Sequence, residues 1–263
     1  MSESARRPPP AVSAVGLVAV ALFAVPLAGL LSKVEWSTLV DDLSSAAAVD
    51  ALRLSLVSSI GATAISVGLG LPLAWVLARA NLRGRSFVRS LVLVPMVLPP
   101  VVGGVALLSA FSRTGLVGEP LYEWFGVQLT FTLWGAVLAE VFVAMPFFVI
   151  TVEAAIRGFD SRYEDAAASL GARRWVTFGR VILPQIRPAV VAGAVLTWAR
   201  ALGEFGATIT FAGNIAGRTQ TLPLAVYLAL EGRTSLALAL SVVLLAVSLG
   251  VIVALRDRWL QRA

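Results

Sequence analysis

Six apolar segments, each about 20 residues or longer, constrain this chain more than any other feature, because a stretch of that length lets an α-helix cross a bilayer. Of the 263 residues, 58% are hydrophobic and 14% are charged, whereas soluble domains carry about 25% charged residues. Transmembrane β-strands would instead be about ten residues long with alternating polarity. The sequence therefore predicts an all-α integral membrane protein with six spans, near residues 11–31, 52–77, 87–111, 131–151, 189–211 and 235–255.

The arginines predict how these spans are oriented. Fifteen of the 21 basic residues lie in the two tails and in the loops after the second and fourth spans. The alternate loops hold five, and Arg200 lies within a span. Because cytoplasmic loops carry the excess of Lys and Arg, both tails, 1–10 and 256–263, are expected in the cytoplasm. The net charge of +6 then reflects cytoplasmic arginines and implies no nucleic-acid partner.

The segments between the spans are too short to form a second domain. The largest cytoplasmic one, residues 152–188, is too small for a core of its own, and the sequence shows no internal repeat. We therefore expect one transmembrane domain over residues 11–255. Arg6 and Arg7 precede the first span as they would a signal peptide. Its apolar stretch exceeds the roughly 7–15 residues of a signal-peptide core, so we expect a retained span.

Missing residue types exclude several kinds of chemistry. The chain has no cysteine and no histidine, which removes disulfides, thiol nucleophiles, histidine-dependent triads and the commonest metal ligands. Its single lysine, Lys33, is not part of a Gly-Lys-Ser/Thr phosphate loop. We expect no catalytic residue, metal or cofactor on this chain. If ATP and Mg²⁺ are used, another chain must bind them.

The largest cytoplasmic loop is predicted to hold two short helices separated by a glycine. Asp160 or Ser161 can cap the first helix, and acidic residues occupy its first turn, where the helix dipole favours them. Gly171 can end this helix in a left-handed cap. Pro184 and Pro188 are expected to stop the second helix before the fifth span. Such a stiff, compact element suits a membrane protein that receives a push from a soluble partner.

The same loop carries a specific spacing of residues. Its sequence contains Glu164 and then Asp165, Ala166, Ala167, Gly171, Val181, Leu183 and Pro184. This pattern resembles the EAA loop of ABC importer permeases, with Asp165 in place of Glu and Val181 in place of Ile. The resemblance implies that the loop docks on a cytoplasmic ATPase subunit and carries its closure into the membrane. Without such a partner, these residues would fit an amphipathic helix at the bilayer surface.

Two charged residues are predicted deep in the fifth span. Arg200 lies about 17 Å from the cytoplasmic start of that span at about 1.5 Å per residue, and Glu204 follows on the same helix face. Charges at such depth are costly, so they are expected to pair and to face the bundle or a water-filled cavity. They can form a structural pair, with Gly203 and Gly206 permitting close packing, or they can line a pathway or gate. The two interpretations are compatible.

The third span is predicted to be broken. Pro99 and Pro100 remove two backbone donors and free carbonyls that lipid cannot satisfy. Broken backbone at this depth must pack in protein or line a cavity, and a simple kink is the alternative. Glu140 in the fourth span is a further intramembrane candidate, and the sequence identifies no partner for it.

Several longer motifs occur together along the chain. They are Leu98-Pro99-Pro100-Val101-Val102, Ala201-Leu202-Gly203-Glu204-Phe205-Gly206-Ala207-Thr208-Ile209-Thr210-Phe211, Gly213-Asn214-Ile215 and Thr219-Gln220-Thr221-Leu222-Pro223. With the loop, they resemble molybdate importer permeases over residues 51–255. The resemblance implies the type I ABC importer permease fold, in a multi-pass protein of the bacterial plasma membrane.

The same resemblance implies an assembly. Such permeases act as homodimers with the pathway at the subunit interface. Two cytoplasmic ATPase subunits lie below the dimer, and an extracytoplasmic molybdate-binding protein delivers the oxyanion from above, so the permease needs no tight anion site. The candidate pathway or gate residues are Pro99, Pro100, Glu140, Arg200, Gly203, Glu204, Gly206 and Thr208.

Three alternatives stay open. Sulfate or thiosulfate permeases share the Leu-Gly-Glu-Phe-Gly core, and tungstate is nearly identical to molybdate, although the Ala-Thr-Ile-Thr-Phe continuation favours molybdate over sulfate. An ion-coupled secondary transporter often shows an internal repeat, which is absent here. An intramembrane enzyme would need Glu140 and Glu204 to meet as a carboxylate pair.

Overall fold

The computed structural model describes residues 9–80 and 83–260, without the side chains of Pro10 and of residues 254–260. Most of the predicted tails, 1–10 and 256–263, therefore lies outside the described residues. The described chain is helical and contains no strand, as predicted. Its helices are α1 Pro10–Ser32, α2 Leu39–Ser44, α3 Ala46–Arg79, α4 Arg85–Val97, α5 Pro100–Phe111, α6 Gly118–Phe125, α7 Leu133–Arg157, α8 Arg162–Ser169, α9 Arg174–Thr177, α10 Leu183–Leu202, α11 Gly206–Phe211, α12 Leu222–Ala229 and α13 Thr234–Leu260.

Helices α3 and α7 form the centre of the bundle and run parallel. Ser58 contacts Glu140, and Leu77 contacts Arg157, so the register between the helices stays nearly constant along their length. Small residues at about every fourth position of α3 allow this close packing. At Gly70, for example, an added Cβ would lie 2.8 Å from the Phe148 ring.

The parallel pair fixes the path of the chain between α3 and α7. Because both helices run in the same direction, the chain must return across the bundle between Arg79 and Leu133. The pair α4 and α5 makes that return, bent by 120° at the break between them. The predicted break in the third span is confirmed, since α4 ends at Val97 and α5 begins at Pro100. With this bent pair, the described chain has up to six candidate spans.

The fifth span differs from the prediction at both ends. A continuous helix runs from Arg174 to Leu202, so the expectation that Pro184 and Pro188 stop the second loop helix is wrong. A π-helical turn at Phe178–Ile182 ends two residues before Pro184, and its altered hydrogen bonding lets the helix accommodate a residue that has no N–H. At the other end the helix stops at Leu202, and α11 begins only at Gly206.

The remaining helices extend the bundle around this centre. Helix α10 runs antiparallel to α7, with Gly193 beside Phe148 and Thr151 and Ala201 in a cluster with Val137. Helices α12 and α13 pack on the start of α3 through a cluster of small and apolar side chains. Helix α1 carries exposed apolar side chains along its length, as expected of a helix that meets lipid or another chain.

Candidate functional site

The predicted intramembrane ion pair is present. The Nη1 atom of Arg200 lies 2.7 Å from Oε2 of Glu204. The other carboxylate oxygen, Oε1, accepts the backbone N–H of Ala207 at 2.9 Å. Glu204 is buried, whereas 30% of the Arg200 side chain is exposed. The carboxylate thus neutralises the guanidinium and satisfies a free donor at the start of α11, which holds the helix break in shape.

Arg200 also lines a cavity of about 240 Å³ at the broken third span. The other lining residues are Pro95, Met96, Val97, Leu98, Pro99, Pro100, Val143 and Phe147. Since Pro99 and Pro100 have no N–H, the carbonyls of Pro95 and Met96 lose their helical donors. The two features predicted separately from the sequence, the deep arginine and the proline break, therefore share one cavity, where exposed backbone at membrane depth is tolerated.

Glycines hold α11 against α5. A Cβ added at Gly206 would lie 2.7 Å from Cβ of Pro100, and one added at Gly104 would lie 2.5 Å from Cβ of Thr210. Both glycines let the backbones of α5 and α11 approach closely, so the two short helices that follow the two breaks lie in direct contact. Gly203 is different, because the nearest atom to an added Cβ there is the Ala199 carbonyl oxygen at 3.7 Å.

Glu140 has a partner that the sequence did not identify. Ser58 donates a hydrogen bond of 2.7 Å from its Oγ to Oε1 of this buried carboxyl group. Its Oε2 atom and the Oγ1 atom of buried Thr208 have no hydrogen-bond partner among the described residues. Glu140 and Glu204 thus have different hydrogen-bond or ion-pair partners, Ser58 for Glu140 and Arg200 for Glu204.

The predicted helix–glycine–helix loop is present. Helix α8 ends at Ser169, and Gly171 has a φ of 79°. The N–H of Ala172 donates to the Ala167 carbonyl at 3.0 Å, and the N–H of Gly171 donates to Ala168 at 2.9 Å. These two bonds form the Schellman cap that favours glycine.

The N-terminal end of α8 is held by a charged pair outside the spans. Ser161 precedes the helix, while Asp160 accepts the backbone N–H of Arg162 at 3.0 Å and its guanidinium Nη2 at 2.6 Å. The side-chain hydrogen bond from Arg162 lowers the pKa of the Asp160 carboxyl group.

Two sets of contacts join this loop to the end of α3. Arg79 Nη2 lies 2.6 Å from Glu164 Oε1 and donates to the Phe159 carbonyl at 3.2 Å. Trp75 stacks on Phe178 with 4.5 Å between ring centroids and meets Trp175 edge-on at 5.2 Å. Within the predicted motif, Asp165, Ala166, Gly171 and Pro184 are exposed, and Ala167 and Leu183 are partly buried.

The sequence analysis missed Glu153. It was assigned to the loop after the fourth span, but α7 extends to Arg157 and Glu153 is buried. Its carboxylate lies 2.5 Å from Arg157 Nη2 and 3.6 Å from Arg89 Nε on α4. The spacing of four residues between Glu153 and Arg157 was the signal that could have revealed the pair.

Comparisons with known proteins agree with this architecture. Residues 70–262 match the family model described as binding-protein-dependent transport system inner membrane component. The chain is 44% identical over 232 residues to the molybdenum transport system permease protein ModB of Mycobacterium tuberculosis, covering 88% of each chain. It is 38% identical to the sulfate transport system permease protein CysT of Escherichia coli, over 86% of this chain and 82% of that one.

A solved structure supports the fold alone. The crystal structure of a bacterial ABC transporter involved in the import of the acidic polysaccharide alginate aligns with a TM-score of 0.73 at 19% identity, over 94% of each chain. Residues 70–262, which match the family model, contain the broken third span, α7, the loop and the Arg200–Glu204 pair. The chain therefore belongs to the family of binding-protein-dependent transport system inner membrane components.

Proposed function

We propose that this chain is the permease subunit of an ATP-driven ABC importer that moves molybdate into the bacterial cytoplasm. The observation that supports molybdate as the substrate is the 44% identity, over 88% of both chains, to relatives named for molybdenum transport. Tungstate has nearly the same tetrahedral shape and is expected to share the route. Sulfate or thiosulfate is the second candidate, because a sulfate permease is 38% identical.

The side of the bundle that carries the α8–α9 loop is proposed to face the cytoplasm. Arg79, Arg89 and Arg157 lie at this end of their helices, next to the loop or to the α3 and α7 termini. Such clustering of arginine agrees with the positive-inside rule. The tails 1–10 and 256–263 are then cytoplasmic as well, and residues 11–255 form one transmembrane domain in a multi-pass plasma-membrane protein.

The proposed assembly contains two copies of this chain and two ABC ATPase subunits. The exposed apolar surface of α1 is consistent with contact to a second copy. The exposed Asp165, Ala166 and Gly171 would receive the ATPase, which binds the ATP and Mg²⁺. A molybdate-binding protein would dock on the opposite side. No metal, cofactor or nucleic acid is proposed for this chain, and no catalytic residue.

The movement caused by ATPase closure is proposed to be transmitted along the helix that begins in the loop. ATPase closure would push α8 and α9, and the continuous helix from Arg174 to Leu202 would carry that displacement to Arg200. Arg200 shares its cavity with Pro99 and Pro100, so a shift of α10 would alter the broken segment and open the pathway. ATP hydrolysis would then reset it.

Because its charge is neutralised, Arg200 is better suited to letting an oxyanion pass than to binding it tightly. Glu204 cancels most of the attraction that Arg200 would exert on an oxyanion. The pathway residues would therefore guide the anion without holding it, while the binding protein supplies the affinity. Pro99, Pro100, Glu140, Arg200, Gly203, Glu204, Gly206 and Thr208 are the proposed pathway and gate residues.

The testing experiment measures oxyanion-stimulated ATPase activity in proteoliposomes. They contain this chain with the ATPase and the binding protein encoded beside it, and molybdate, tungstate and sulfate are compared. Stimulation by molybdate and tungstate, but not by sulfate, is expected. Stimulation by sulfate alone would keep the fold and transfer the substrate assignment to the second candidate. Failure to form a complex with the ATPase would contradict the importer proposal.

A further inference from the structure

An apolar groove lies on the outside of the bundle between α3 and α10, away from the Arg200 cavity. It has a volume of about 430 Å³ and is open along one side. Its walls include Ile60, Ala64 and Val67 on α3 and Val190, Ala194 and Trp198 on α10. The volume lies within the usual range of about 300–1,000 Å³ for small-ligand pockets.

The polar groups around this groove are already satisfied within the protein. The indole N–H of Trp198 donates to the Ser59 hydroxyl at 3.0 Å. The Thr63 hydroxyl donates to the Ser59 carbonyl at 2.7 Å. The groove therefore presents hydrocarbon to its occupant and offers no hydrogen bond along its length.

A free positive charge stands at one end of the groove. Arg187 lies three and four residues before Val190 and Val191, so it is on the same face of α10 as the groove wall. Its side chain is exposed and forms no ion pair within the described part of the chain. Ile186 packs in one cluster with Ile156, which places Arg187 level with Arg157 at the end of α7.

That level corresponds to the phosphate region of a bilayer. Helix α7 has 25 residues and is about 37 Å long at about 1.5 Å per residue, whereas the hydrocarbon core is about 30 Å thick and the whole bilayer about 40–45 Å. The end of α7 therefore reaches the headgroups. Arginine binds phosphate well because its planar guanidinium can donate two parallel hydrogen bonds.

We propose that the α3–α10 groove binds an anionic glycerophospholipid of the leaflet on the loop side, with one acyl chain along the groove and its phosphate on Arg187. The groove supplies the apolar wall, and Arg187 supplies the charge at headgroup depth. The charge favours a lipid over a second transmembrane helix as the occupant, because an exposed arginine at headgroup depth complements an anionic phosphate. The bound lipid would bridge the central helix α3 to α10, which leads from the loop to Arg200.

Native mass spectrometry of the full-length chain in detergent tests the site, with phosphatidylglycerol and phosphatidylethanolamine as probes. We expect phosphatidylglycerol to bind about fivefold more tightly, because one basic residue near the surface contributes about 1 kcal/mol to anionic-lipid binding. Arg187→Gln is expected to remove this preference, and Arg187→Lys to retain it. Ala194→Phe, which fills the groove, is expected to weaken binding of both lipids.

Two control variants match these changes outside the groove. Arg162→Gln removes an exposed charge of the loop, and Ala21→Phe adds an exposed aromatic side chain on α1. Both are expected to bind lipid as the wild type does. An unchanged preference in Arg187→Gln, or unchanged binding in Ala194→Phe, would overturn the proposal.

A cross-linking experiment distinguishes a lipid from a second copy of the chain. Because the natural sequence has no cysteine, Ala194→Cys carries a single attachment point for a photoreactive maleimide. Irradiation in native membranes is expected to give adducts with the mass of a phospholipid. Adducts to another copy of this chain would assign the groove to a protein interface and overturn the lipid site.

Discussion

Arg200 and Glu204 are four residues apart, yet only Arg200 lies in a helix, because α10 ends at Leu202 and α11 begins at Gly206. Their side chains meet at 2.7 Å across that end, and Glu204 also caps α11. The pair therefore joins α10 to α11 at the point where the chain passes the broken third span. A change at either residue should affect both the ion pair and the geometry of the break.

Arg200→Ala is expected to destabilise the protein by about 3–5 kcal/mol, because it leaves the buried carboxylate of Glu204 without its cation. The double variant Arg200→Ala/Glu204→Gln should recover part of that loss, since the amide oxygen of Gln can still accept the Ala207 N–H. Thermal unfolding in detergent and the yield of the assembled complex measure the effect. Wild-type stability and uptake in Arg200→Ala would remove this residue from both the core and the pathway.

Removing the Ser58 hydroxyl tests whether its hydrogen bond to Glu140 stabilises the packing of α3 on α7. Ser58→Ala takes away the donor to Oε1, and an unsatisfied buried polar group costs about 1–3 kcal/mol. Ser66→Ala is the control, because Ser66 is a buried serine of the same helix whose hydroxyl has no hydrogen-bond partner among the described residues. A lower unfolding temperature for Ser58→Ala than for Ser66→Ala is the expected result. Equal temperatures for both variants would mean that the hydrogen bond to Glu140 contributes nothing to the packing of the two helices.

The sequence predicted features that depend on local chemistry and missed those that depend on register. The proline break and the Arg200–Glu204 pair follow from neighbouring residues, and both are confirmed. The Ser58–Glu140 contact joins residues far apart in the chain, and only the parallel packing of α3 on α7 brings them together. At Pro184 a local rule gave the wrong answer, because a π-helical turn before the proline preserves the helix.

The contact between Arg79 and Glu164 should contribute to coupling more than to stability. Both side chains are about one-quarter exposed, and such pairs typically contribute about 0–1 kcal/mol. Glu164→Arg is expected to reduce transport-coupled ATPase activity about two- to fivefold. This is the loss expected if up to about 1 kcal/mol of the pair's energy is used in coupling, because about 1.4 kcal/mol corresponds to a factor of ten. The charge-exchanged variant Arg79→Glu/Glu164→Arg should restore most of it. No recovery in the exchanged variant would place the effect of Glu164 at the ATPase surface instead.

Gly171 tests whether the loop needs its left-handed cap and its exposed surface. Its φ of 79° favours glycine, and asparagine is the residue that next best tolerates this region. Gly171→Asn should keep membrane insertion and most transport. Gly171→Arg should keep insertion but abolish transport, because the added side chain occupies the exposed surface proposed to receive the ATPase. Uptake assays with a co-purification assay separate docking from folding, and normal uptake by Gly171→Arg would refute the docking assignment.

Gly206 and Gly203 form a matched pair for testing whether the two broken spans must pack together. Gly206→Ala places a methyl group 2.7 Å from Cβ of Pro100, so α11 must move away from α5 at an overpacking cost of about 1–3 kcal/mol. Gly203→Ala adds the same methyl group where the nearest atom is 3.7 Å away and the backbone φ of −91° suits any residue. We expect impaired uptake and a lower unfolding temperature for Gly206→Ala, with a near-wild-type unfolding temperature for Gly203→Ala. Because both changes add one methyl group within four residues of each other, equal effects would show that the contact with Pro100 does not control the gate.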